Sequence, residues 1–312
     1  MDRRLFLTTG FAALSGAVLA SETKSSENRE IKAIESAQVG CLVDTTLCIG
    51  CRKCEEACNR RNNLPRPENP FTDQTVFRDR RRPTEGAFTV VNEYPGMPSP
   101  DQKQIGTTHC KVQCMHCLTP SCVSACLVGA MTKQMDGSVV YNKNICLGCR
   151  YCMVACPFEI PAYEFSEPLK PKVRKCEFCA DYKTKQGANP ACAAACPTET
   201  LVFGKRQELL ALARSRIKNR PDRYLDYIYG EYEAGGTSWL YLTGRPMKEI
   251  DLVPMPIKSP AVTTESIQHG IFKFGIIPMA LYGFLAGLMW KNRKSEEKNE
   301  LKKTEQTERG KQ

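Results

Sequence analysis

Sixteen of the 18 cysteines in this 312-residue chain fall into four short groups, and their spacing defines the chemistry they can do. The first group is Cys48, Cys51, Cys54 and Cys58. The second is Cys114, Cys117, Cys122 and Cys126. The third is Cys146, Cys149, Cys152 and Cys156, followed by Pro157. The fourth is Cys176, Cys179, Cys192 and Cys196, followed by Pro197. Cysteines two residues apart let a tight loop wrap one cubane, each thiolate meeting a different iron. The fourth cysteine, three residues further on, sits on a short helix, points away and ligates the neighbouring cluster of a pair. Groups therefore work in pairs, and four groups imply four [4Fe–4S] clusters.

The second and third groups are 19 residues apart, joined by 130–141, where Asp136-Gly137 reads as a hairpin turn between alternating residues. They form one contiguous ferredoxin-like unit, and the first and fourth groups pair around it. The expected sets are Cys48, Cys51, Cys54 with Cys196; Cys114, Cys117, Cys122 with Cys156; Cys146, Cys149, Cys152 with Cys126; and Cys176, Cys179, Cys192 with Cys58. Two other uses of cysteine compete. Disulfides suit an exported chain, but four cysteines within 11 residues are poorly placed for bridges. Zinc prefers well-separated Cys-x-x-Cys hooks, which only the fourth group resembles; a zinc-stabilised membrane scaffold is the alternative of another class.

Cys41 and Cys110 remain, read as buried small hydrophobes rather than ligands. His109, His116 and His269 form no catalytic set, and His116 packs inside the second loop. The chain has no P-loop, dinucleotide fingerprint or nucleophile elbow, so it carries electrons without converting a substrate itself. The formal charge of +10 does not indicate nucleic acid. Ligating thiols are deprotonated, and sixteen thiolates around four cluster cores bring the loaded protein to roughly +2. Arg78, Arg80, Arg81 and Arg82 read as a solvated loop.

The elements that position these groups are legible in outline. The fold class is α+β: two pseudo-symmetric 2[4Fe–4S] ferredoxin-like units, one nested in the other, with a single C-terminal transmembrane helix. Residues 1–20 form a twin-arginine signal, with Arg3-Arg4 ahead of a short apolar run ending at Ala20. Residues 41–205 are the four-cluster domain, with the inner unit at 107–166. Cys41-Leu42-Val43 opens a strand, and 62–106 is an insertion containing an alternating stretch at 88–94. Residues 206–270 supply an amphipathic helix at 207–218, a turn and strand within 229–244, and a proline-containing tether from 245. Residues 271–290 are apolar; twenty residues at about 1.5 Å each cross one hydrocarbon core. Residues 291–312 are a charged tail whose Lys291, Arg293 and Lys294 place it in the cytoplasm and the cysteine domain outside.

Four cysteine groups in this order resemble the four-cluster electron-transfer subunits of molybdopterin-oxidoreductase-type complexes. The chain is most similar to one branch, the HybA-type iron–sulfur subunit of membrane-bound nickel–iron hydrogenase of the hydrogenase-2 type. The stretches that carry this are Arg3-Arg4, Gln113-Cys114-Met115-His116-Cys117, Cys149-Arg150-Tyr151-Cys152-Met153-Val154-Ala155-Cys156-Pro157, Tyr229-Gly230-Glu231 with Gly235-Gly236-Thr237, and Ser266-Ile267-Gln268-His269. The resemblance implies partners: hydrogenase small and large subunits on one side, and a multi-span quinone-reactive membrane subunit on the other. It implies a place on the periplasmic side of the inner membrane. The runner-up is the matching subunit of a formate dehydrogenase or of an exported nitrite, tetrathionate or sulfur-compound reductase. The chain departs from the pattern where Cys58 and Cys126 are followed by Asn59 and Leu127 rather than proline. Purified without air, the chain is expected to carry about sixteen iron and as much acid-labile sulfide; a colourless, sulfide-free preparation overturns the cluster reading.

Overall fold

A computed structural model describes residues 38–96, 106–167, 171–181, 189–267 and 279–294. The chain divides into two units, 1–261 and 262–312, and the cysteine groups all lie in the first.

The first unit is organised by strand β1 (Val39–Asp44), which stands between β8 (Leu201–Lys205), antiparallel, and β9 (Trp239–Leu242), parallel. Side chains alternate across a strand, so one face presents Cys41, Val43, Leu201, Phe203, Trp239 and Tyr241 to the cysteine groups. The other face presents Leu42, Leu240 and Leu242 to Leu209, Leu210, Ala213 and Ile217. These last four line one side of the helix Arg206–Asn219, expected at 207–218. A sheet covered on both faces needs apolar residues at every position, which is why Trp239-Leu240-Tyr241-Leu242 has no polar alternation.

The inner unit is built from two small hairpins. Strands β4 (Met131–Lys133) and β5 (Val139–Tyr141) pair antiparallel, as do β6 (Ala162–Tyr163) and β7 (Val173–Arg174). The expected turn at Asp136-Gly137 is present. Gly137 takes φ 90°, and Asp136 Oδ1 accepts from the N–H and hydroxyl of Ser138 at 2.8 and 2.6 Å. The same turn is tied to β1, since Val39 N–H donates to Asp136 O at 3.0 Å. The core of this unit is thin: Met131, Val139 and Val173 pack around Cys122 and Cys152.

The insertion after the first group forms β2 (Thr89–Tyr94), antiparallel to β3 (Thr108–Gln113). This confirms the strand expected at 88–94. Of the arginines before β2, Arg78, Arg80 and Arg82 are exposed, as expected of a solvated loop, and Arg81 is half-buried, yet three of the four have fixed partners. Arg81 makes a two-pronged bond to Glu55, Arg80 lies 3.7 Å over the Tyr94 ring, and Arg82 donates to Phe158 O at 2.6 Å. Their fixed forks reach acceptors that sequence neighbours do not reveal.

The segment expected as a tether from 245 is bound to the domain as far as Ala261. Ile250, Leu252 and Ala261 are buried, and Ala234 and Gly235 donate to Pro256 O and Ile257 O at 2.8 and 2.7 Å. Its prolines remove helix periodicity without removing apolar anchors. In the second unit, residues 262–267 and 279–294 are helical. The first eight residues of the expected span, 271–278, lie outside the described residues, as do 1–37 and 295–312. Among the described residues no helix is long and apolar enough to cross a membrane.

Candidate metal centres

Each group opens with Cys-x-x-Cys, and the residue before the second cysteine is left-handed in all four. These are Gly50 (φ 69°), His116 (49°), Gly148 (70°) and Phe178 (60°). The turn aims that residue's own amide at the first sulfur. Phe178 N–H donates to Cys176 Sγ at 3.3 Å and Gly148 N–H to Cys146 Sγ at 3.4 Å, while Gly50 N–H bonds Cys48. An amide donor favours the anionic sulfur that metal requires. Gly50 is dictated twice over, because a Cβ there would stand 2.4 Å from the His109 ring. His116 and Phe178 have no such freedom and carry strain of about 1–3 kcal/mol each. Packing holds them. Their rings stack at 5.0 Å and 26°, Val139 N–H donates to His116 Nδ1 at 2.9 Å, and Phe178 lies 5.5 Å from Trp239. The two strained loops are thereby clamped to each other, joining the second group to the fourth.

The groups also end alike. The helices Ser121–Ser124, Tyr151–Val154 and Ala191–Ala194 are single turns carrying the third cysteine, and the fourth lies just beyond each. The expectation that the fourth cysteine sits on a short helix holds only for Cys58, within Lys53–Arg61. Three residues past each of the others comes another left-handed residue: Gly129 (65°), Glu159 (52°) and Glu199 (50°). This turn reverses the chain and points amides back at sulfur. Ala130 N–H donates to Cys126 Sγ at 3.1 Å. Cys156 accepts from Ile160, Phe158 and Glu159. Cys196 is subject to upward pressure from burial, yet amides of Leu201, Thr198 and Thr200 with the Thr198 hydroxyl hold it below the ordinary thiol range. Leu127 stands where proline follows Cys156 and Cys196, yet the same left-handed turn is made at Gly129. At Cys58 the helix continues, and Asn62 Nδ2 donates to its sulfur at 3.5 Å.

The helix of the first group packs against that of the fourth, and that of the second against that of the third. Cys48, Cys51, Cys54 and Cys196 line one cavity. Cys58, Cys176, Cys179 and Cys192 line another. Two cavities, each lined by four sulfurs, suit polynuclear groups. Among the described residues no three His, Cys, Asp or Glu side chains converge to hold a single ion. In the inner unit, Cys117 is driven well above the thiol range by burial and then by Cys114, Cys156 and Cys122. Cys152 is pushed up to about 11 by burial and then by Cys126, Cys146 and Cys149. The lining of the two outer cavities draws on the first and fourth groups, and the inner cysteines neighbour one another across the second and third. Apart from Cys149, which is exposed, every one of these cysteines is at least partly covered. Without metal such sulfurs stay protonated, so loading must displace protons.

Cys41 and Cys110 are fully buried at the sheet positions expected of small hydrophobes. His109 bonds Glu93 at 3.1 Å, and His269 lies outside the described residues. Four charged residues at the site were not legible in the sequence. Glu55 accepts from Arg52, from Arg81 and from Val91 N–H, pinning the Cys54–Cys58 helix to β2. Lys133 donates to the carbonyls of Cys117 and Gly137 at 2.8 and 2.6 Å, and burial draws its ammonium down to about 8 against the pull of Cys117 and Cys114. Lys175 donates to Val139 O and Cys176 O. Lys111 is buried in β3 and lines both outer cavities. The only available signal was a lysine inside an otherwise apolar or paired strand.

Comparison with known proteins places these features in context. The profile of the 4Fe-4S dicluster domain matches residues 107–206. The chain is 43% identical over 291 residues to a protein of Nitratidesulfovibrio vulgaris, spanning 92% of this chain and 76% of that one. It is 34% identical over 325 residues to the hydrogenase-2 operon protein HybA of Escherichia coli O157:H7, spanning 95% and 97%. It is 29% identical over 272 residues to the iron-sulfur subunit of nitrate-inducible formate dehydrogenase of Escherichia coli K12, spanning 85% and 86%.

Glu55→Ala is expected to cost about 3 kcal/mol, because it strips a buried carboxylate from two guanidinium groups. Thermal unfolding should show the loss. Iron content should fall toward half as the outer cavities fail to fill; a chain that keeps its full iron and its midpoint contradicts this role.

Proposed function

Because the chain belongs to the family of the hydrogenase-2 operon protein HybA, we propose that it relays electrons through four [4Fe–4S] clusters between a nickel–iron hydrogenase and a quinone-reactive integral membrane subunit. Its standing as an iron–sulfur electron-transfer subunit of a hydrogenase or related oxidoreductase complex rests on likeness over nearly its whole length. The observation that carries the cluster reading is the pair of cavities, each lined by four cysteines drawn from two distant groups.

The ligand sets are Cys48, Cys51, Cys54 and Cys196; Cys114, Cys117, Cys122 and Cys156; Cys126, Cys146, Cys149 and Cys152; and Cys58, Cys176, Cys179 and Cys192. When bound, the clusters supply one-electron chemistry. The chain's own residues hold the sulfurs in left-handed loops, aim amides at them and cover all but Cys149 at least in part. No step of substrate conversion falls to this chain. Twin-arginine export suits a protein loaded with metal before it crosses, and Arg3-Arg4 with the run to Ala20 supports that route. The apolar stretch 271–290, followed by Lys291, Arg293 and Lys294, supports a single span with the cluster domain on the periplasmic side. Lys294 stands 4.2 Å from the Trp290 ring, as interfacial anchors do.

Sharing of the fourth ligand is tested by Cys156→Ser. Electron paramagnetic resonance should show loss or alteration of the cluster held by Cys114, Cys117 and Cys122, with the Cys146 set intact; the reverse pattern refutes the sharing. Identity of the electron source is tested on the complex isolated from membranes. Dihydrogen should bleach the cluster absorbance while formate does not. Bleaching by formate alone would favour the second reading, the formate dehydrogenase subunit, which the 29% likeness keeps in view.

A further inference from the structure

Lys111 is the one residue that lines both outer cavities together with their cysteines. It is 2% exposed, at the centre of β3, and its ammonium is fixed from several sides. Nζ donates to Gln113 Oε1 at 2.8 Å and lies 4.4 Å over the Trp239 ring. Gln113 Nε2 donates to Tyr241 Oη at 2.7 Å, and that hydroxyl donates back to Lys111 O at 2.8 Å. The loop closes on itself and leaves the ammonium little freedom to swing out.

What is missing is a carboxylate. Among the described residues no Asp or Glu forms an ion pair with Lys111, whereas buried Arg52, beside the first group, has Glu55 at 3.0 Å. An unpaired charge in a dry interior is costly, and a buried lysine ordinarily deprotonates to escape the cost. Here its cavity-lining neighbours are cysteines on both sides, Cys48, Cys51, Cys54 and Cys196 in one cavity and Cys58, Cys176, Cys179 and Cys192 in the other. Both cavities draw on the first group and on the fourth. The arrangement has no use in a protein whose cysteines are neutral. It suits two anionic groups flanking one ammonium.

The geometry points to Lys111 as a shared counter-ion of the two outer clusters, a positioning charge that stabilises their reduced forms and sets both potentials together. This rests on the cluster reading above. A positive charge beside a cluster favours the added electron and so moves its potential upward. Because one ammonium serves both sites, its removal must move both, whereas the inner clusters have Lys133 and Lys175 nearby.

The test is redox titration of the full loaded chain followed by electron paramagnetic resonance, with the outer signals assigned in Cys51→Ser and Cys179→Ser chains. Lys111→Met removes the charge at similar bulk. Gln113→Glu leaves the lysine in place but pairs it with a carboxylate at the same distance. Both variants are expected to shift the two outer potentials downward together while the two inner ones hold. A shift at one outer cluster only, an equal shift at all four, or no shift overturns the proposal. If Lys111→Met yields a chain that lacks the outer clusters, Gln113→Glu decides. A wild-type chain without iron and sulfide instead removes the reading on which the proposal rests.

Discussion

Anionic sulfur held in a dry interior is the constraint on which the rest of this structure depends. Four thiolates per site repel one another, and burial, with Cys192 and Cys179 adding to it, pushes the Cys58 thiol up to about 12. The chain answers with fixed partial charges and a few whole ones. Amides reach sulfur from both ends of a group, at the Cys-x-x-Cys turn and at the turn after the fourth cysteine. Each such turn needs a left-handed residue, so the backbone strain at His116, Phe178, Glu159 and Glu199 is a direct cost of aiming donors at sulfur. Buried ammonium groups add the remaining positive charge.

The ferredoxin-like character was readable from spacing, because iron–sulfur geometry tolerates few alternatives. So were the Asp136-Gly137 hairpin, the strand at 89–94 and the helix at 206–219, where turn chemistry and periodicity act locally. The charged partners were not readable. Nothing in Thr108–Gln113 separates Lys111 from a solvated lysine until β2, Trp239 and Tyr241 cover it from distant parts of the chain. Arg81 and Glu55 are 26 residues apart and meet only when the insertion folds back. The segment after 245 misled for the opposite reason. Its prolines suggest a loose linker, but its anchors, Ile250 and Leu252, are isolated residues with no period to detect.

The two units differ in what holds them. The outer one rests on a sheet packed on both faces and on Trp239, Tyr241 and Leu42, all fully buried. The inner one has little apolar core beyond Met131, Val139 and Val173, and Cys149 reaches solvent. Its shape therefore depends more on its cysteines, and on the His116–Phe178 stack that ties it to the outer unit.

The position of β1 between β8 and β9 has a consequence for synthesis. The first strand made is central in the sheet, and its parallel neighbour, Trp239–Leu242, is nearly two hundred positions downstream. A ribosome releases the contiguous inner unit long before that neighbour emerges. The outer half remains an open half-sheet until Trp239–Leu242 has emerged, so chain connectivity lets the inner half close first.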